Sequence, residues 1–244
     1  MELTEVEAYS AYGMDADDLR RLAILGDLIT AAGFNVSGVK EPTEIERTHF
    51  LDSLSLLRLG VVSSAGCIVD IGSGGGLPAL VLALALPDTH IVAIESQRKK
   101  CKHIDHAAHT LGLDNLATCW IRAEDHARTG GQEAYDVAIS RAVAPLPVVA
   151  EYSLPLLRIG GAVVAMKGAV SDQERTQAVR ALGILGGGEL KEVRLDPFPG
   201  SRDRSAYVAK KLRDTPRIYP RRAGVPSKRP LGLLKKERQE EAQN

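Results

Sequence analysis

The chain lacks several features that would place it in common functional classes. Its three cysteines, Cys67, Cys101 and Cys119, are an odd number and include no Cys-x-x-Cys pair. That argues against a disulfide framework and against a zinc cluster, and it fits a reducing, cytoplasmic setting with no metal. Long apolar runs are also missing. The longest, residues 77–86, contains Pro78 and is too short to cross a bilayer. The first residues, Met1-Glu2-Leu3-Thr4-Glu5-Val6-Glu7, are acidic and do not resemble an export signal. Neither a membrane partner nor secretion is expected. No internal repeat and no low-complexity linker interrupts the 244 residues, and a hydrophobic content of 44% supports one sizeable core.

Net charge is absent too, but only as a sum. Residues 210–244 hold eleven Lys or Arg against the four acids Asp214, Glu237, Glu240 and Glu241, a surplus of seven, so residues 1–209 carry minus seven. A cationic segment beside an acidic domain predicts a polyanionic partner.

The most informative motif is Val69-Asp70-Ile71-Gly72-Ser73-Gly74-Gly75-Gly76-Leu77. An apolar strand ends in an acid and then in closely spaced glycines, which let a ligand lie against the main chain at the start of a helix. The dinucleotide fingerprint requires glycines at the first, third and sixth positions, and the sixth position counted from Gly72 is Leu77. The turn instead resembles the first motif of class I S-adenosylmethionine methyltransferases. Asp70 would suit that cationic cofactor, directly or through water.

Around the turn, the periodicity predicts a doubly wound α/β protein. Helical spacing covers residues 15–32 and 41–58, an amino-terminal cap assigned to residues 1–60. Apolar strands at 67–71, 91–95, 117–121, 136–140 and 162–167 alternate with helical stretches. After a helix at 171–182, segments 189–195 and 204–212 flank Asp196-Pro197-Phe198-Pro199-Gly200 and read as an antiparallel pair. The expectation is a Rossmann-like, mostly parallel seven-stranded sheet over residues 61–212, followed by a basic arm at 213–244.

Ligands of open sheets lie at the carboxyl ends of the strands. Gly72, Gly74 and Leu77 are therefore candidate cofactor contacts. Glu95, at the end of the second strand and 23 residues after Gly72, is a candidate ribose ligand or a cap for the next helix. After the third strand, Ala123 and Glu124 are assigned to adenine, with Arg122 and Asp125 as rivals. Arg141, at the end of the fourth, could meet a cofactor carboxylate, a phosphate or a base edge. His49 and Asp52 share a predicted helix face, toward cofactor, RNA or the packing beneath. In the arm, Lys210, Lys211, Arg213, Arg217, Arg221, Arg222, Lys228 and Arg229 are candidate phosphate contacts on an extended segment, with Tyr219 as a stacking residue.

The ordered set His49-Phe50-Leu51-Asp52-Ser53-Leu54, Asp70 to Leu77, Arg141-Ala142-Val143-Ala144, Pro155-Leu156-Leu157, Gly160-Gly161, Lys167-Gly168, Tyr219 to Gly224 and Pro226 to Leu231 resembles the RsmG (GidB) family of bacterial 16S rRNA guanine-N7 methyltransferases. The resemblance spans roughly residues 15–231. It implies S-adenosylmethionine as cofactor, contacts at Gly72, Leu77, Ala123, Glu124 and Arg141, and methyl transfer to N7 of one guanine in the helix 18 hairpin of small-subunit rRNA. Ala79 stands where many members have glycine. Guanine N7 carries a lone pair and no proton, so no catalytic base is expected. Rival readings are a class I methyltransferase acting on another RNA, and a ribosome assembly module that holds the cofactor without transferring its methyl.

Overall fold

Alternating side chains along the strands divide the core into two layers. A computed structural model describes residues 1–33, 38–39 and 41–233. The sheet is built from β1 (Cys67–Ile71), β2 (His90–Glu95), β3 (Leu116–Trp120), β4 (Tyr135–Arg141), β5 (Leu157–Lys167), β6 (Lys191–Arg194) and β7 (Ser205–Lys210). The spatial order is β3-β2-β1-β4-β5-β7-β6. Strands β1 to β5 pair in parallel, while β7 runs antiparallel to both β5 and β6. Ile68, Ile91, Ala93, Val137, Ile139, Val164 and Met166 face one hydrophobic cluster. Val69, Ile71, Val92, Ile94, Ala138, Val163 and Ala165 face the other. Such two-sided burial explains the near-continuous apolar strands. At the edge, β6 is four residues long and exposed along its whole length, a short charged strand that discourages further pairing.

The amino-terminal segment contributes Leu22, Leu25, Ile29, Ile45, Phe50, Leu51, Leu54 and Leu56 to the first cluster. A short α1 (Val6–Ser10) precedes α2 (Ala16–Ala31). Asp15 caps α2 by accepting from the Asp17 and Asp18 amides at 2.7 and 2.9 Å, and Asp18 returns the contact to the Asp15 amide at 3.1 Å, a reciprocal capping box.

The uniform helix expected over 41–58 is instead composite. α3 (Pro42–Ile45) passes into a π-helical turn (Glu46–Leu51), then α4 (Asp52–Leu54), then a 3-10 turn (Ser55–Arg58), before α5 (Gly60–Ser63). Glu46 is fully buried and accepts from the Thr4 and Glu5 amides and the Thr4 hydroxyl at 2.7–3.0 Å. Those contacts pin the first turn to the amino terminus, and the widened turn that follows carries His49.

The remaining helices are α6 (Ala79–Ala85), α7 (Arg98–Leu111), α8 (Ala123–His126), α9 (Leu146–Ser153), α10 (Asp172–Leu185) and α11 (Val225–Lys228). Helices α6 and α7 cover the first face, and α8, α9 and α10 the second. Among the described residues no helix is long and apolar enough to cross a membrane.

Over its described part, up to residue 233, the basic segment is packed on the domain and is not a free extended arm. Residues 211–233 are bound along α8, α9 and α10, and α11 interrupts them with one helical turn opened by Gly224 at φ +81° and Pro226. Glu151, fully buried in α9, accepts from the Arg221 amide at 2.9 Å, from Nε at 2.9 and 3.1 Å and from Nη2 at 2.6 Å. Tyr152 shares a 2.7 Å hydrogen bond with Ser227, and Arg180 donates to the Gly232 carbonyl at 3.2 Å. Lys211 has no exposed surface and donates to Glu133 at 2.9 Å and to the Leu157 carbonyl at 2.8 Å. Arg221 and Lys211 thus differ from the free phosphate contacts expected of them, because each is already engaged by a carboxylate. Tyr219 is half-buried against the second hydrophobic face. Arg217, Arg222, Lys228 and Arg229 are exposed. The last stretch of the expected arm, residues 234–244, lies outside the described residues.

Candidate active site

Strand order reverses between β1 and β4, so their carboxyl ends open a crevice. The glycine turn forms one wall. Gly72 takes φ +68° and Gly74 φ +59°, left-handed values that disfavour a side chain. A Cβ on Gly72 would also meet Val143 at 3.0 Å. The Gly72 and Ser73 amides donate to the Ile94 carbonyl at 2.9 and 3.0 Å. The Gly74 amide donates to Glu95 Oε2 at 3.0 Å, and Glu95 Oε1 accepts from the Gln97 amide at 2.8 Å. Glu95 therefore ties the turn to the end of β2 and caps the entry to α7 with the same carboxylate.

In front of the turn lies a cavity of about 460 Å³ lined by Thr48, His49, Asp52, Gly72, Gly74, Leu77, Lys100, Arg141 and Arg204, among others. A second lobe of about 310 Å³ continues over the ends of β4 and β5, lined by Met166 to Ala169, Leu195 and Ser205. Asp52, Arg141, Ala142 and Arg204 line both lobes. Ala142 adopts φ +55°, a strained conformation for a residue with a Cβ, of the kind found where a site over-determines the backbone.

Charge in the cleft is only partly paired. Arg141 donates to the Thr48 carbonyl at 3.1 Å and to Asp52 Oδ2 at 3.4 Å. Asp52 Oδ1 is buried with no hydrogen-bond partner, its nearest cation being Arg204 at 3.9 Å. Burial raises the Asp52 carboxyl above its ordinary range, while Arg141 and Arg204 pull it back. Both ring nitrogens of His49 lack a partner. Burial, reinforced by Arg141, lowers this imidazole to about 4, so it is neutral near pH 7. Asp70 is buried behind the turn and accepts from the Ala79 amide at 3.3 Å through Oδ2, leaving Oδ1 without a partner. Burial pushes its carboxyl up to about 6.

Of the residues expected from sequence, Gly72, Gly74, Leu77 and Arg141 come together in the cleft. Asp70 and Glu95 support the turn from behind. Ala123 and Glu124 start α8 and are buried. Glu124 Oε1 accepts from the Gly224 amide at 2.9 Å, joining the end of β3 to the bound carboxyl-terminal segment. His49 and Asp52 do face the cleft. Arg204, Thr48 and Lys100 were not anticipated. No set of three or more His, Cys, Asp or Glu side chains able to hold a metal occurs among the described residues.

The whole arrangement is similar to solved methyltransferases. The S-adenosylmethionine-dependent methyltransferase SibL matches with a TM-score of 0.55 at 13% identity, over 81% of this chain and 69% of that one. A SAM-dependent O-methyltransferase from Thermotoga maritima matches at 0.50 and 18%, over 66% of this chain and 65% of that one. At such identities the fold is what is shared, and it is the class I S-adenosylmethionine-dependent methyltransferase fold. The family is given by closer matches. The model of the GidB family, rRNA small subunit methyltransferase G, matches residues 24–195. Proteins called ribosomal RNA small subunit methyltransferase G from Rubrobacter xylanophilus and Moorella thermoacetica are 43% and 40% identical, each over 81% of this chain and over 77% and 82% of their own lengths. The chain belongs to the rRNA small subunit methyltransferase G family.

Proposed function

We propose that the protein transfers the methyl group of S-adenosylmethionine to N7 of a guanine in the helix 18 hairpin of 16S rRNA, in the cytoplasm and on the small ribosomal subunit or its precursor. The observation that carries this reading is the cleft at the β1/β4 reversal, where a glycine-rich turn adjoins a partly paired Asp52–Arg141 cluster. The residues suit the cofactor: Gly72, Gly74 and Leu77 leave its body room along the main chain, Arg141 matches a carboxylate, and Asp52 offers an unpaired oxygen in the cleft for its positive charges.

When bound, S-adenosylmethionine supplies an electrophilic methyl on a sulfonium. The protein's part is to hold the guanine and exclude competitors. N7 offers its lone pair directly, so no residue need remove a proton, and alignment alone can supply about 7–11 kcal/mol in the best cases. In A-form RNA the guanine N7 edge lies in a deep, narrow groove, which makes a loop nucleotide the accessible target. Arg217, Arg222, Lys228 and Arg229 project from the bound carboxyl-terminal segment as phosphate contacts, whereas Arg221 holds that segment in place.

The test is transfer from labelled S-adenosylmethionine to small subunits lacking N7 methylation, with cleavage mapping of N7-methylguanine. A single mark in the helix 18 hairpin is expected. A mark elsewhere would reassign the RNA target, and cofactor binding without any transfer would favour an assembly module. Gly72→Asp should abolish cofactor binding through bulk and charge; unchanged affinity would remove the cofactor from this lobe.

A further inference from the structure

Resting on that reading, we infer that the second lobe is the pocket for the target purine, and that Asp52 in the shared wall offsets the positive charge the purine gains. The lobe has the right construction for a planar heterocycle. Buried Met166 and Leu195 supply apolar walls, and Ala142 and Gly168 leave space near the ends of β4 and β5. Its lining cations differ in availability. Lys167 is held by Glu174 at 2.9 Å and the Ala144 carbonyl at 3.3 Å, and Arg141 by Thr48 and Asp52. Arg204, more than a third exposed, remains available to a purine oxygen or a phosphate.

The chemistry gives Asp52 its role. As the N7 lone pair forms the new N–C bond, the S–C bond breaks and its electron pair stays on sulfur. No proton leaves, so one unit of positive charge passes from sulfur to the purine ring. Arg141 and Arg204 alone would oppose that arrival. Among the described residues Asp52 is the one carboxylate lining the second lobe, it also lines the first, and its buried Oδ1 has no hydrogen bond. A fixed carboxylate that borders both lobes can follow the charge across the boundary without moving, the condition under which preorganised electrostatics is most effective.

The test uses 7-methylguanosine 5′-monophosphate, which carries the product's charge, and guanosine 5′-monophosphate, each titrated calorimetrically at millimolar concentration against the full chain saturated with S-adenosylhomocysteine. The wild type should prefer the methylated nucleotide by about tenfold, the size of one charge-assisted contact. Asp52→Asn, which keeps the shape, should abolish the preference. Ala169→Trp, placed on an exposed lining position of the second lobe, should remove nucleotide binding while S-adenosylmethionine affinity stays unchanged. Equal affinity for the two nucleotides, or binding of neither, would overturn the inference, as would unaltered nucleotide binding by Ala169→Trp. Failure of the wild type to bind S-adenosylmethionine would instead count against the methyltransferase reading itself.

Discussion

Two half-hidden arginines show how the same pairing serves different ends. Arg221 is gripped by Glu151 through its amide, Nε and Nη2, with contacts of 2.6–3.1 Å that engage both carboxylate oxygens. Arg141 reaches its carboxylate, Asp52, at 3.4 Å by a single nitrogen, and the other oxygen of Asp52 has no hydrogen bond. One pair is closed, and it fastens the carboxyl-terminal segment to α9. The other is open and lines a cleft. A buried carboxylate with unused bonding capacity is unfavourable unless something else completes it, and that incompleteness distinguishes the Asp52–Arg141 pair from Glu151–Arg221.

Breaking the closed pair should have the largest effect. Glu151→Ala leaves Arg221 without its partner, and loss of one member of a buried pair costs about 3–5 kcal/mol. Urea unfolding should register it, together with faster proteolysis within 213–233; a loss below about 1 kcal/mol would mean that the pair is no better than a surface one.

Asp70, whose Oδ1 is also unpartnered, should appear in the pH dependence. With its carboxyl raised from 3.8 to about 6, the folded state keeps a proton that the unfolded chain has released. Its favourable contribution is present below pH 4 and is lost as pH rises to about 6, at most about 1.4 kcal/mol per unit. His49, lowered to about 4, acts in the opposite sense, since the unfolded chain takes up the proton that the folded imidazole refuses. Asp70→Asn should therefore leave stability rising more steeply with pH between 4 and 6 than in the parent. Parallel curves would show that Asp70 has its ordinary acidity.

The smallest effect belongs to the exposed cations. Replacing Arg217, Arg222, Lys228 or Arg229 by Ala should each lower the slope of log affinity against log salt for helix 18 RNA by about 0.7–0.9, without altering S-adenosylmethionine binding. An unchanged slope would free these side chains from any phosphate.

Much of the scaffold was readable in the chain because its signals are local. Apolar runs marked β1 to β4 to within one residue, while β5 begins five residues before the expected 162, and Asp70 to Leu77 marked the glycine turn that follows β1. The closed pair escaped because Glu151 lies 70 residues from Arg221 and a basic run looks the same whether solvated or bound. A signal existed: Glu151 is the one charged residue in the otherwise apolar and polar-neutral α9, and a lone acid in such a helix calls for a cation. The composite helix over 41–58 was hidden because a π turn leaves the apolar spacing nearly intact. Arg204, in the charged turn Arg202-Asp203-Arg204, carries no sequence mark that separates it from a solvated loop.

The most direct test of the contrast between open and closed pairs is the single-turnover rate of methyl transfer to undermethylated small subunits by Asp52→Asn, at saturating cofactor, beside its urea stability. The rate should fall by about tenfold or more, while stability changes by less than about 1 kcal/mol. A normal rate accompanied by a large loss of stability would make Asp52–Arg141 a structural pair like Glu151–Arg221 and contradict the account.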